Sequence, residues 1–256
     1  MSSIGIIGYG FVGQAVANGF LCEKHICDPV HNNTTIQQLV ENTPVCIFVC
    51  VPTPQEDTPD ISMRVVVEVV DQLKSHNYTG VILVKSTVLP KTFDESVVCN
   101  PEFLSRKTAH SDFTDPPLLL LGGDRAQEAL EIYKTYSKID PLVKTVITDN
   151  TTACLIKYTM NCFYATKLCY MNQIHTLAEQ TGADYEVVVQ ACKMQPWMGT
   201  HHFDVPGPDG KKGFGGPCLP KDIDIMSKKY ELELFELVGR INQNQRNNSC
   251  QPTKKM

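Results

Sequence analysis

Six residues near the start of the chain, Gly8-Tyr9-Gly10-Phe11-Val12-Gly13, leave little freedom in how it can fold. They fit G-x-G-x-x-G, and their surroundings give the motif weight. Ile4 to Ile7 reads as a strand ahead of it, and Val12 to Cys22 as the helix that follows. Asp28 stands twenty positions beyond Gly8. Each glycine then has a task. Gly8 permits the tight turn, Gly10 lets backbone amides approach a pyrophosphate, and Gly13 lets helix and strand pack closely. The helix start adds unpaired N–H groups and a partial positive charge. Asp28 is expected to accept hydrogen bonds from ribose hydroxyls and to repel a 2′-phosphate, which favours NAD over NADP. An ordinary Gly-rich turn beside a surface aspartate is the bland alternative, and the full context argues against it.

The first 147 residues alternate short β-branched runs with amphipathic segments, the pattern of a mainly parallel α/β sheet. Expected strands are His25 to Asp28, Val45 to Val51, Val81 to Lys85, Leu118 to Leu121 and Val143 to Ile147. The runs from Val45 and from Val81 are apolar enough to be buried on both faces. Ile61 to Leu73 places Val66, Val69, Val70 and Leu73 at helical spacing, and about Arg125 to Tyr136 is a further helix. The character changes near Asp149. From there to about Gln180 no Gly or Pro intervenes, and Ala153, Ile156, Tyr158, Met160, Phe163, Leu168 and Ile174 fit a long helix capped by Asp149. A turn at 181–184 leads to a helix over Tyr185 to Lys193. The expected organisation is a Rossmann-type α/β domain over 1–148, an all-helical domain over 149–246, and a frayed polar tail over 247–256.

Composition excludes several classes. With 256 residues, 42% hydrophobic and 20% charged, the chain can bury a sizeable core and disorder is not expected. A net charge of −5 does not suit a general nucleic-acid binder, which needs concentrated Lys and Arg. Apolar runs such as Val45 to Val51 are far too short for a bilayer, and no basic region precedes an apolar stretch at the N-terminus. The 11 cysteines are scattered, odd in number and never in C-x-x-C, so reduced thiols in a cytoplasmic protein are expected. No metal site is expected, since His201 and His202 are adjacent, point differently, and have no ligand spacing nearby.

Three further segments carry chemistry. Lys157-x-x-x-Asn161 puts an ammonium and an amide one turn apart on the same face of the long helix; the bland reading is a solvated helix face. Asn100-Pro101-Glu102-Phe103-Leu104 follows a strand, and its bland reading is a turn ahead of an exposed glutamate. Gly213-Phe214-Gly215-Gly216-Pro217-Cys218-Leu219-Pro220-Lys221-Asp222 is the most specific. Here a glycine-rich loop leads into a cysteine at a helix start that Pro220 suits. A cysteine there, with Lys nearby, is expected to have a lowered pKa and to act as a nucleophile. The other ten cysteines are read as inert.

With Phe48 to Pro54 and Lys85-Ser86-Thr87-Val88, these segments resemble the UDP-glucose/GDP-mannose dehydrogenase family, from Ile4 to about Gln245. Members oxidise the C6 alcohol of a nucleotide sugar to a carboxylate with NAD. The resemblance implies that Cys218 is the nucleophile and that Lys157 and Asn161 hold the substrate oxygen. It implies that Asp222 orients a catalytic water, that Glu102 is the acid/base in thioester hydrolysis, and that Thr53 and Thr87 line the cofactor. The resemblance also implies that Thr87 lies near the reacting water. Family members form a dimer through the central helix, here 149–180, and a helix apolar on several faces must bury them all.

The chain departs from the family in four places. The segment between the Asp28 and Val45 strands is short. Arg106 stands where a glutamate is common, and Trp197 where an arginine often reaches the neighbouring subunit. The chain ends about where the family continues into a third, nucleotide-gripping domain, so either that domain was lost or this is a fragment. Two other readings are a smaller hydroxyacid dehydrogenase and a decayed NAD-binding module.

Overall fold

The computed structural model describes residues 2–248, leaving out the side chains of Asp60 and Ile61. The described residues group into two compact units. One runs to Thr53 and resumes from Asp60 to Lys157; the other takes Pro54–Pro59 and the chain from Tyr158 onward.

The first unit is built on seven strands: β1 (Ser3–Ile7), β2 (Glu23–Cys27), β3 (Cys46–Val49), β4 (Val81–Val84), β5 (Val98–Cys99), β6 (Leu119–Gly122) and β7 (Thr145–Thr148). They lie in the order β2-β1-β3-β4-β5-β6-β7. All pairs are parallel except β5 with β6. From β1 the chain goes first to one side, for β2, and then to the other, for β3. That reversal is the topological switch point at which open α/β sheets bind ligands, beyond the carboxyl ends of their strands. Strands β1, β3 and β4 are buried along their whole length, as suits predominantly apolar strands covered on both faces.

The helices of this unit are α1 (Phe11–Gly19), α2 (Ile36–Glu41), α3 (Pro59–Ser75), α4 (Ala109–Thr114) and α5 (Ala126–Tyr136). An aromatic cluster joins helices to sheet: Phe20 lies 5.1 Å from Phe48 and 5.4 Å from Tyr133, edge-on or tilted, as ring quadrupoles prefer. Gly19 fits because a Cβ there would stand 2.1 Å from the Phe113 ring. Phe20 then takes extended backbone and bridges Ser137, so α1 ends at Gly19 rather than continuing to Cys22. Helices α2 and α4 and strand β5 have no counterpart in the sequence expectations; at six residues or fewer they are too short to show a period.

Helix α6 (Asn150–Thr181) starts in the first unit and continues into the second. Its start is fixed by Asp149, whose carboxylate accepts the Thr152 N–H at 2.8 Å. The second unit adds α7 (Tyr185–Lys193), α8 (Leu219–Tyr230) and α9 (Glu233–Asn248). Asp184 caps α7 by accepting the Glu186 N–H at 2.9 Å. Met171, Val189 and Phe203 form a small core here, with Ile174, Tyr185, Cys192 and Met198 packed on it. Asn242 of α9 clasps the glycine-rich loop, accepting the Phe214 N–H at 2.7 Å and donating to its carbonyl at 3.0 Å.

Helix α9 corrects one expectation. It runs through Asn248, so residues 247 and 248 are helical rather than frayed, and the rest of the expected tail, 249–256, lies outside the described residues. Among the described residues no helix is long and apolar enough to cross a membrane. No group of three or more His, Cys, Asp or Glu side chains among them is placed to hold a metal ion.

Candidate active site

The glycine loop turns out of β1 at the switch point. Gly8 has φ +89°, and a Cβ there would meet the Cys50 carbonyl group at 2.8 Å. Only glycine meets both conditions. At Gly13 a Cβ would stand 2.1 Å from the Gly8 oxygen, so the helix can approach the strand only without a side chain. Gly10 differs from both. Nothing lies within 4 Å of its Cβ position, and it is exposed. That opening, at the N-terminus of α1 where N–H groups lack intrahelical partners, fits a pyrophosphate. Tyr9, Phe11 and Val12 are half-buried around it.

Asp28 follows β2 and is tied to the loop. Its Oδ2 accepts the Tyr9 N–H at 2.6 Å, and Oδ1 accepts those of Val30 and His31 at 2.8 and 3.1 Å. The bond from Tyr9 foremost, then those from Val30 and His31, lower its pKa against the opposing effect of desolvation. The carboxylate therefore stays ionised, with one acceptor site left on Oδ2. Thr53 is buried beyond β3 and Thr87 half-buried beyond β4. Ser86 joins their two loops by donating to the Val51 carbonyl at 2.6 Å.

The Asn100-to-Leu104 segment leaves β5 for a buried polar cluster in the same unit. Asn100 donates to the Leu120 carbonyl at 2.8 Å, and its Oδ1 accepts the Tyr133 hydroxyl at 2.6 Å. Glu102 accepts the Leu104 N–H at 2.6 Å. The Lys157 ammonium donates to the Glu102 carbonyl at 2.5 Å and lies 3.4 Å from its Oε1. Lys157 is 4% exposed and Glu102 8%, so neither the solvated-helix reading nor the exposed-glutamate reading holds.

The second unit holds Asn161, Cys218 and Asp222. Asp222 is fully buried. Its Oδ2 accepts from the Asn161 amide at 2.5 Å, and its Oδ1 pairs with the ammonium of Lys221. Cys218 is the half-buried N-cap residue of α8, with Pro220 in the first turn. No disulfide joins the described cysteines. Burial pushes the Cys50, Cys162 and Cys169 thiols up to about 12, a setting in which a thiol is inert.

Sequence reasoning overlooked two supporting residues. Lys85 is buried at the end of β4 and donates to Asn100 at 3.3 Å; a lysine directly after four apolar strand residues was the signal. Lys221 lay inside the cysteine motif, but its contact with Asp222 is visible only in the fold.

A glycine loop at a switch point, an acidic residue after the second strand and a buried ammonium–carboxylate cluster define a dinucleotide-dependent dehydrogenase fold. Models of the UDP-glucose/GDP-mannose dehydrogenase family match in order, the NAD binding domain over residues 21–140 and the central domain over residues 151–244. The chain belongs to that family, and NAD is the cofactor of its N-terminal domain. UDP-glucose 6-dehydrogenase of Rickettsia bellii is 33% identical over 77% of this chain and 48% of its own. GDP-mannose 6-dehydrogenase of Azotobacter vinelandii is 29% identical over 88% and 54%. The chain thus spans about half the length of these curated relatives. Among solved structures, a UDP-glucose dehydrogenase from Pyrobaculum islandicum superposes with TM-score 0.82 at 24% identity, over 95% of this chain and 68% of that one. A 3-hydroxyisobutyrate dehydrogenase from Mycobacterium tuberculosis superposes with TM-score 0.69 at 16% identity, over 97% and 95%. Both likenesses concern the fold.

Proposed function

We propose that the chain carries out NAD-dependent oxidation of the C6 alcohol of a nucleotide sugar, UDP-glucose in the first instance, to the uronate. The observation that carries this reading is the burial of Glu102, Lys157, Asn161 and Asp222, each paired, at positions matching family motifs. Burying charge costs several kcal/mol per ion, and such clusters concentrate where chemistry needs tuned groups. When held at Gly8 to Gly13, NAD would supply the hydride acceptor for each of the two oxidations, a second NAD replacing the first as NADH and the hydroxyl proton leaving to water each time. Lys157 and Asn161 hold the substrate oxygen as negative charge develops on it. The Cys218 thiolate adds to the aldehyde carbon, giving a thiohemiacetal that is oxidised in turn to a thioester. Asp222 orients a water and Glu102 moves its proton as the thioester opens, releasing the acid and the thiolate. Thr87 adjoins that water, and Thr53 lines the cofactor. We place the protein in the cytoplasm, where its thiols stay reduced.

Purified protein supplied with UDP-glucose and GDP-mannose is expected to form two NADH per sugar, and Cys218→Ala to abolish acid production. NAD-bound protein that yields no NADH from any nucleotide sugar would sink the reading. A second reading, resting on Lys157 and Asn161 one turn apart on α6, is oxidation of a small hydroxyacid. That reaction forms one NADH per turnover and is indifferent to loss of Cys218.

The long helix supports a homodimer. Phe163, Tyr170 and Leu177 recur every seven residues on α6 and are 58%, 53% and 52% exposed. Residues seven apart share one helix face, and such a stripe is what a second copy buries.

A further inference from the structure

A cation stands at the mouth of the glycine loop with no partner of opposite charge. The Arg106 guanidinium lies over the Phe11 ring, 5.5 Å from its centroid. Phe11 opens α1, directly after the exposed Gly10. Arg106 is itself exposed, and it makes no ion pair or hydrogen bond with any described residue.

We infer that Arg106 is a cofactor-positioning residue whose guanidinium, held over Phe11, grips the pyrophosphate of the dinucleotide cradled by Gly8 to Gly13. The inference rests on NAD binding at that loop. Charge balance is the first argument. A dinucleotide pyrophosphate brings two negative charges, while the helix end supplies about half a positive one. The first turn of α1 contains no charged side chain, and the ionised Asp28, bonded to Tyr9, adds a further negative charge to the loop. A full positive charge is wanting, and Arg106 supplies it. Geometry is the second argument. A guanidinium held over a ring rather than by a carboxylate keeps its N–H donors free for a bidentate grip on phosphate oxygens. A carboxylate partner would have consumed those donors. Lys107, the adjacent exposed cation, has no such ring beneath it.

NADH titration followed by fluorescence tests this on the full chain at low and high salt. Arg106→Ala is expected to weaken NADH about tenfold, the scale of one hydrogen bond to a charged group, and to flatten the salt dependence. ADP-ribose, which keeps the pyrophosphate, loses competitive strength alongside NADH. Adenosine, which lacks it, competes as against the wild type. Arg106→Lys recovers part of the loss, Phe11→Leu weakens binding in the same direction, and Lys107→Ala leaves it unchanged. Arg106→Ala that binds NADH within about twofold of the wild type, or that loses adenosine equally, overturns the inference. A wild-type chain that binds no NADH overturns the cofactor reading and this inference with it, so the two failures are told apart by the wild type alone.

Discussion

Lys85 shows most directly how burial sets the behaviour of one residue. Its ammonium has three donors, and among the described residues it finds one hydrogen-bond acceptor, the Asn100 oxygen at 3.3 Å, and the Phe113 ring at 5.6 Å. Loss of water brings its pKa down to about 8; nearby Cys50 and Glu102 act against that shift, and the Lys157 cation adds to it. An unfolded lysine titrates near 10.4. Below pH 8 both states hold the proton and the cost of burying it is fully present. Between about 8 and 10.4 the folded state releases its proton first, so the cost fades and stability rises with pH. Lys85→Met is expected to remove this slope. The check is urea melts of both proteins across that window, with the difference between them flat if Lys85 has no part in it. Cys218 makes the complementary point, because its type and position were legible beside Pro220 and Lys221, whereas its partial exposure was not.

At the scale of elements, β1 and α1 meet through glycine alone. Gly13→Ala would drive a Cβ to 2.1 Å from the Gly8 oxygen. Relieving that clash separates helix from strand, and overpacking of this kind costs about 1–3 kcal/mol or more. Thermal melts should show a clear drop, with NADH affinity falling alongside. Gly10→Ala is the control: its Cβ meets nothing within 4 Å among the described residues, so it should melt near the wild type while obstructing the cofactor. Long elements such as α6 and the buried strands β3 and β4 were legible from periodicity and apolar runs. The two-residue β5 was not, although Asn100 and Glu102 depend on where it ends. Its place is decided by pairing with β4 and β6, partners distant in sequence.

The whole molecule adds the question of assembly. Tyr170→Glu places a charge in the centre of the exposed α6 stripe and is expected to convert a dimer to a monomer in light scattering, with the circular dichroism spectrum unchanged. A wild type that is monomeric at all concentrations would remove the argument. The sequence by itself determined the nucleotide-binding fold, the order of the two regions and the spacing of the candidate site residues. Those depend on local spacing: glycines around a turn, an acid twenty residues on, a lysine and an amide one helical turn apart. Only the tertiary structure decided which groups are paired: Lys157 with Glu102, Asn161 and Lys221 with Asp222, Arg106 with Phe11. Nearly all of these contacts join segments far apart in the chain, and even the adjacent Lys221 and Asp222 are buried together only because their helix packs as it does. Burial and pairing arise from packing of such segments, and no local pattern encodes them.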